Sequence, residues 1–263
     1  MTQPAVTIDT ERPGIPFWRL SMVEFRKSFD TRAGRWFTIS ILILAFAAML
    51  IQTFLVPAGA AQDLNDMALV QNSLLGIFVA IIPILLVTQE WGQRTALVTF
   101  SLEPRRGRVV LAKLVASALV VLGVLIVSVL IALLGTALAG GLRGIDVDWN
   151  LSAQMLRNIF IGNAIATLLG FGIALLLMNT PAAIVTYFVY MFVVPTVLNV
   201  AGAFLDWFAD IVPWIDFASA QEPLLDSGGM SGEEWAQLAT SSLLWVGVPL
   251  AFGIWRWLRT EVK

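Results

Sequence analysis

The chain has 263 residues, of which 58% are hydrophobic and 13% charged, and its mean hydropathy is +0.84. Soluble domains average about 45–50% apolar and about 25% charged residues, so this composition predicts an integral membrane protein. The sequence contains no cysteine and no histidine. Disulfides, Cys/His metal sites, cysteine nucleophiles and histidine general bases are therefore excluded.

The N-terminal region is predicted to hold two segments, a disordered cytoplasmic stretch at 1–14 and an amphipathic helix at 15–35. At 100° per residue, four apolar side chains fall within about 40° of one another. They are Trp18, Met22, Phe25 and Phe29. This stripe predicts a helix lying in the membrane interface. A pure membrane anchor and a partner-docking surface both remain open for it.

Hydropathy predicts six transmembrane helices, each judged against the roughly 20 apolar residues that cross the hydrocarbon core. They lie at 36–56, 68–88, 109–139, 155–178, 182–205 and 238–257, within one membrane domain at 36–258. The fold class expected is thus all-α and polytopic. Residues 259–263 form a short tail.

The basic residues set the expected orientation. With the N-terminus inside, 14 of the 16 basic residues lie in cytoplasmic segments, and only Arg143 and Arg157 lie outside. This asymmetry predicts cytoplasmic N- and C-termini. The extracellular segment 206–235 mixes acids with tryptophans, which favours short helices at the outer interface. Its later part, 221–232, is expected to be an acidic surface loop.

Charged residues are rare inside the predicted spans. Lys113 stands one turn inside the third span, where it is expected to snorkel to the surface. No carboxylate lies at mid-membrane depth, which disfavours an ion-coupled or proton-coupled carrier. Four intramembrane polar residues are expected to make interhelical hydrogen bonds rather than to bind substrate. They are Asn163, Asn199, Tyr187 and Tyr190.

Two further patterns concern how the helices pack. The fourth span has small residues at every fourth position, which favours close helix approach to a neighbour in the same chain or in a second copy. These residues are Gly162, Ala166, Gly170 and Ala174. Pro83 and Pro195 each remove a backbone hydrogen bond, so the second and fifth spans are expected to bend there.

The loop at 89–108 is the most strongly basic interruption between spans. Leu97, Val98 and Leu102 form an apolar side that predicts a short helix, and Pro104 ends it. Basic residues alone would also fit an ordinary cytoplasmic loop.

The loop resembles that of the membrane permeases of type-2 ATP-binding-cassette (ABC) exporters. The resemblance rests on an acidic-aromatic-Gly-Thr, Pro, basic, Lys pattern between the second and third spans. The matching residues are Glu90, Trp91, Gly92, Thr95, Pro104, Arg106 and Lys113. One position departs from the pattern, because the family commonly has glycine directly before the threonine and this chain has Arg94.

The resemblance implies that the loop is a coupling helix that contacts a separate ATPase subunit. In that family two permease chains and two ATPase chains assemble, and ATP and Mg bind to the ATPase. Glu90, Arg94, Arg105 and Arg106 are assigned to the contact, and charge reversal at Glu90 or Arg94 is expected to uncouple ATP hydrolysis from transport. The interface helix contributes Glu24, Arg26 and Lys27.

The chain is accordingly expected to be a non-catalytic permease subunit in a bacterial plasma membrane. It would export an amphipathic or lipid-like compound together with a second permease chain, the same or related. The sequence has no G-x-x-x-x-G-K-[ST] phosphate loop, so no cofactor is expected on this chain. The lipid bilayer is an expected partner and nucleic acid is not.

The alternatives are a polytopic accessory or assembly protein that recruits a cytoplasmic partner, and an intramembrane enzyme. The chain has no histidine, no cysteine and no buried carboxylate in its predicted spans to serve as catalytic groups, which disfavours the enzyme.

Overall fold

The structure, a computed structural model, describes residues 14–225 and 229–260. Within these ranges it is built from helices, and six of them are long and apolar enough to cross a membrane. The predicted all-α architecture with six candidate spans is therefore confirmed for the described residues. Most of the predicted N-terminal stretch and the last three residues of the predicted tail lie outside the described ranges.

The N-terminal region forms two helices rather than one segment over 15–35. Helix α1 spans Phe17–Asp30, and the first candidate span, α2, spans Arg32–Phe54. Thr31 separates them, and its hydroxyl accepts a hydrogen bond from the Gly34 N–H at 3.1 Å, which caps the start of α2. The position of α1 relative to a membrane interface stays a prediction.

The second candidate span is interrupted. It consists of α3, Leu64–Val79, and α4, Ile81–Gly92, with a break at Ala80. Pro83 has no N–H to bond the carbonyl of Val79 four residues earlier, which accounts for a break at this level. Helix α5, Ala96–Leu102, follows and leads into the third span, α6, Arg106–Arg143.

The fourth span is α7, Ala153–Leu177. The fifth contains α8, Thr180–Phe188, a π-helical turn at Val189–Val193, and α9, Val194–Phe204. The sixth contains α13, Gly232–Ser242, a second π-helical turn at Leu243–Gly247, and α14, Val248–Arg259. Both π-helical turns directly precede a Val-Pro pair, so the fifth span deviates from regular helix next to Pro195, as the sequence predicted.

Short helices fill the segment between the fifth and sixth spans. They are α10, Asp206–Ala209; α11, Val212–Ile215; α12, Phe217–Gln221; and a 3-10 turn at Glu222–Leu225. Asp216 is buried and caps α12, and it also accepts a hydrogen bond from Asn199 at 3.2 Å. The expectation of a surface loop from 221 is wrong for Leu224, which is buried in the core of the bundle.

Glycines allow three backbones to approach closely around α7. A Cβ on Gly170 would lie 2.0 Å from the carbonyl oxygen of Ala80, at the break in the second span. A Cβ on Gly253 in α14 would lie 2.9 Å from the carbonyl oxygen of Gly172. The small-residue positions of α7 thus contact other spans of the same chain at Gly170, and Ala174 is fully buried there too. Gly162 and Ala166 instead line a cavity described below.

Candidate functional site

The candidate site lies at the end of the bundle that carries α5, where four elements meet. The ends of α1 and α4, the short helix α5 and the beginning of α6 are joined there by side chains that the sequence separates widely. Two groups of contacts hold α5. One is ionic and faces α1 and α6, and the other is aromatic and faces α14.

The ionic group is a closed ring of two glutamates and two lysines. Lys27 Nζ lies 2.6 Å from both Glu24 Oε1 and Glu90 Oε1. Lys113 Nζ lies 2.7 Å from Glu24 Oε2 and 3.2 Å from Glu90 Oε2. Each charge therefore contacts two charges of opposite sign. We call Glu24, Lys27, Glu90 and Lys113 the ionic ring.

The ionic ring is buried within the protein. The side chains of Glu24 and Lys113 are fully buried, Glu90 is 4% exposed, and Lys27 is 30% exposed. Buried ions of this kind persist only when they are paired, because removing one partner leaves an uncompensated charge in a medium of low polarity. The expectation that Lys113 snorkels to the surface is wrong. Its ammonium group instead pairs with two glutamates brought in by α1 and α4.

Lys27 lies in α1, outside the candidate spans, and its pKa is raised. Burial alone lowers this pKa, but the carboxylates of Glu24 and Glu90 raise it through their charge and their hydrogen bonds, and they outweigh burial. Lys27 is therefore protonated throughout the neutral pH range.

Helix α5 joins the ring through one hydroxyl group. Thr99 Oγ1 donates a hydrogen bond of 3.0 Å to Glu90 Oε1. Glu90 thus contacts residues of α1, α5 and α6 from its own place at the end of α4. A displacement of α5 relative to α4 would break the hydrogen bond between Thr99 and Glu90. The carboxylate of Glu90 connects all four elements.

The aromatic group fixes the other side of α5. Trp91, Phe100 and Trp257 contact one another, with ring centroids 5.5 Å apart for Trp91 and Trp257 and 5.7 Å apart for Phe100 and Trp257. Trp257 is fully buried. The guanidinium group of Arg106 lies 4.7 Å from the centre of the Phe100 ring and donates hydrogen bonds to the carbonyl groups of Trp257 and Thr260. The sixth span therefore ends against α5.

A second acid organises the turn between α5 and α6. Glu103 is buried and accepts a hydrogen bond of 2.8 Å from Arg108 Nη1. Arg108 Nη2 also donates to the carbonyl of Ile15 at 2.7 Å, at the start of the described chain. The turn is thereby tied to the segment that leads into α1.

The opposite face of α5 is open. Leu97, Val98 and Leu102 are 60%, 57% and 69% exposed. A groove of about 760 Å³ runs between this helix and α1. Its walls include Leu20, Val23, Val98, Leu102 and three ring residues, Glu24, Lys27 and Glu90. Lys27, the most exposed ring member, lines this groove, so an element that entered it would reach the ring directly.

The structure divides the predicted coupling residues into two sets. Those turned outward are Gly92, Arg94, Thr95, Pro104 and Arg105, all exposed. Those turned inward are Glu90, Trp91, Arg106 and Lys113, which contact other parts of this chain. The assignment of Glu90 to a partner contact stays a prediction, but the carboxylate itself is engaged within the chain.

The residues predicted for the interface helix are divided in the same way. Trp18, Met22 and Arg26 are exposed, whereas Glu24 and Lys27 belong to the ionic ring. The rings of Phe25 and Phe29 contact each other, with their centroids 5.3 Å apart, and pack against the core. Two residues of the predicted apolar stripe therefore pack against the protein, and the other two, Trp18 and Met22, are exposed.

Sequence reasoning missed four residues of the site. Thr99, Phe100, Glu103 and Trp257 carried no pattern that marked them individually. Glu103 could have been noticed as an acid inside a strongly basic loop. The others depend on the packing of α5 against α4 and α14, which no local pattern reports.

Arg94 has an unusual backbone. Its φ is +57°, in the left-handed region that glycine adopts most readily. The N–H of the next residue, Thr95, donates to the carbonyl of Glu90 at 2.9 Å, which closes the end of α4. The position at which the resembled family commonly has glycine is therefore the position where this chain needs a left-handed residue.

Among the described residues no cluster of three or more acidic side chains is placed to hold a metal ion. A comparison with models of protein families finds no match, and a comparison with curated proteins finds no similar sequence.

Proposed function

We propose that this chain is the membrane-spanning permease subunit of an ATP-driven exporter, of the kind that its coupling loop resembles. A separate ATPase subunit hydrolyses ATP, and α5 together with the exposed part of α1 forms the surface on which it docks. Two permease chains and two ATPase chains make up the working assembly. The compound exported is amphipathic or lipid-like.

One observation carries the proposal. Helix α5 has an open apolar face flanked by the exposed residues Arg94 and Arg105, while its inner face is bound to the ionic ring and to Trp257. A surface helix with only a topological role would need no such attachment. A helix that passes force to the spans does need it.

The attachment provides a physical route for that force. Moving α5 along the membrane surface pulls on Glu90 through Thr99, and Glu90 is held by Lys27 and Lys113. Separating buried opposite charges costs several kcal/mol. The low-energy response is therefore for α1, α4 and α6 to move with α5 as one body. The aromatic contact with Trp257 extends the same coupling to the sixth span.

Arg94 also fits this interpretation. A left-handed turn between the second span and α5 fits the glycine that the family commonly has before its threonine. An arginine in the same conformation preserves the turn and adds a charge at the docking surface.

The experiment is to purify the tagged protein from its native cells in mild detergent and to identify the chains that accompany it. Copurification of an ATPase with a phosphate loop, and loss of that ATPase in the Arg94→Glu variant, would support the proposal. Arg157→Glu is the matched control, since Arg157 is an exposed arginine at the opposite end of the bundle. Purification without any nucleotide-binding chain would favour a non-transporting accessory protein instead.

A further inference from the structure

A cavity of about 370 Å³ lies at the end of the bundle opposite to α5. The second, fourth and fifth spans form three of its walls, and the short helices after the fifth span form the fourth. Its volume falls within the range of about 300–1,000 Å³ typical of small-molecule sites. No part of the candidate coupling site contributes to it.

Three polar side chains on its wall each have one buried atom without a hydrogen-bond partner. Asn163 and Asn158 are 2% and 3% exposed, and neither the Asn163 Oδ1 atom nor the Asn158 Nδ2 atom has a partner among the described residues. The buried hydroxyl of Tyr190 has none either. Leaving such a group unpaired in a buried place is unfavourable, so three of them around one cavity indicate that something else pairs with them.

Hydrogen bonds within the chain hold the amide groups of both asparagines in place. Asn163 Nδ2 donates to Asn72 Oδ1 at 2.6 Å and to the carbonyl of Ile159 at 2.7 Å. The Tyr187 hydroxyl donates to the carbonyl of Ile77 at 2.7 Å. Arg157 Nη2 donates to Asn158 Oδ1 at 3.2 Å. The cavity therefore offers an acceptor at Asn163, a donor at Asn158 and a hydroxyl at Tyr190.

The rest of the lining disfavours ligands with an anionic headgroup. Apolar side chains such as Leu169, Met191, Phe217 and Leu224 complete the walls. The described lining includes no lysine or arginine, and its one carboxylate, Glu222, is exposed. An anionic headgroup would lie unpaired in apolar surroundings, which is strongly unfavourable.

We propose that this cavity binds a neutral amphipathic molecule, which places a hydroxyl or amide group against Asn158, Asn163 and Tyr190 and its hydrocarbon part against the apolar walls. Binding of this kind does not depend on the proposed function. It requires only this chain, and the test is made without an ATPase subunit.

The test is photo-crosslinking of the purified full chain in phosphatidylcholine nanodiscs, with a monoacylglycerol that carries a diazirine in its acyl chain. Cross-links mapped by mass spectrometry should concentrate in the lining segments 158–169 and 187–195, and excess unlabelled monoacylglycerol should compete. Gly76→Leu and Gly162→Leu each place a side chain where the cavity lies and should reduce this labelling about tenfold. Gly123→Leu is the control, because Gly123 is exposed on α6 and has open space around it.

Two matched probes test the chemistry of the ligand. A diazirine-bearing lysophosphatidic acid with the same chain, and a diazirine alkane without a headgroup, should both label the cavity less than the monoacylglycerol does. Cross-links spread over the lipid-facing surfaces and unchanged by both glycine variants would overturn the proposal, and a cavity that holds only water would give that pattern. Equal labelling by the three probes would overturn the assignment of a neutral polar headgroup.

Discussion

The ammonium group of Lys113 lies 2.7 Å from the carboxylate of Glu24, although 89 residues separate the two in the sequence. Both side chains are fully buried. This pair connects α1, which lies before the first span, to the third span. Through Glu90 and Lys27 the same connection reaches the second span and α5.

Neutralising one member of this pair should cost much more than neutralising both. Glu24→Gln leaves the ring with a net positive charge and Lys113→Met leaves it net negative, so each single variant should lose about 3–5 kcal/mol of stability. The double variant leaves Lys27 and Glu90 paired and should lose clearly less than the sum of the single losses. Thermal unfolding in detergent measures all three, and additive losses would contradict the ring as a coupled unit.

Arg94→Gly should stabilise the turn before α5. Glycine adopts φ +57° without the cost of about 1–2 kcal/mol that a side chain incurs there. Arg94→Ala removes the same charge but retains the unfavourable conformation, so it is the matched control. A melting temperature that rises for glycine and not for alanine is expected. If both variants also lose the proposed ATPase subunit, the charge rather than the turn contributes to docking.

Trp257→Ala should strongly destabilise the end of the sixth span. The side chain is fully buried against Trp91 and Phe100, and removing a buried tryptophan costs about 3–5 kcal/mol. Trp257→Phe keeps an aromatic ring and should cost less. Limited proteolysis after Arg105 and Arg106 reports whether α5 has loosened. An unchanged cleavage rate in Trp257→Ala would show that the aromatic contact does not hold α5.

The reactivity of the lysines toward an amine-reactive reagent should distinguish the folded from the unfolded protein. The chain has three lysines, and two of them, Lys27 and Lys113, belong to the ionic ring. Because the pKa of Lys27 is raised, its stabilising charge is complete at neutral pH and is lost only as the pH rises through that value, above the ordinary 10.5. At pH 9 an amine-reactive reagent should therefore react slowly with Lys27 in the native protein, and it should spare Lys113 because that side chain is fully buried. Both lysines should be modified after unfolding in SDS.

The control for this labelling is Glu90→Gln, which removes one partner from each lysine and should make Lys27 react faster. Mass spectrometry of the labelled peptides gives the extent of reaction at each position. Equal labelling of Lys27 before and after unfolding would contradict its place in the ring.

Gly170→Ala should destabilise the bundle, although alanine is the better helix former. Its Cβ would lie 2.0 Å from the Ala80 carbonyl oxygen, so α7 and the second span must move apart, at a cost of about 1–3 kcal/mol. Gly123→Ala, with no atom within 4 Å of its Cβ, should be neutral or slightly stabilising. The difference in melting temperature between the two variants measures this contact alone.

The sequence predicted the spans well and the site only in part. Long apolar runs report a span directly, and Pro83 and Pro195 marked irregular regions, because these signals are local. The burial and pairing of Lys113 could not be predicted in the same way. Its partners Glu24 and Glu90 lie on two other helices, and nothing near position 113 indicates that both carboxylates point toward it.

The loop contains both exposed basic residues and charged residues that are bound within the chain. Arg94 and Arg105 are exposed, while Glu90 and Arg106 are bound within the chain. A basic loop pattern cannot distinguish the two cases, because a charge that meets a partner and a charge that meets its own chain look alike in sequence.

The two π-helical turns change how the fifth and sixth spans present their side chains. In each, the backbone N–H after the turn bonds to the carbonyl five residues earlier, from Val194 to Val189 and from Val248 to Leu243. One extra residue in a helical turn offsets the side chains beyond it by roughly 100° relative to an unbroken helix. The side chains that face the core at one end of these spans therefore belong to a different stripe from those at the other end. Tyr190 and Trp245, one from each turn, pack with their ring centroids 4.7 Å apart and their planes tilted by 48°, at the level where both stripes change. A single-residue deletion inside either turn would restore α-helix there and rotate half a span, redirecting its contacts without altering any residue that makes them.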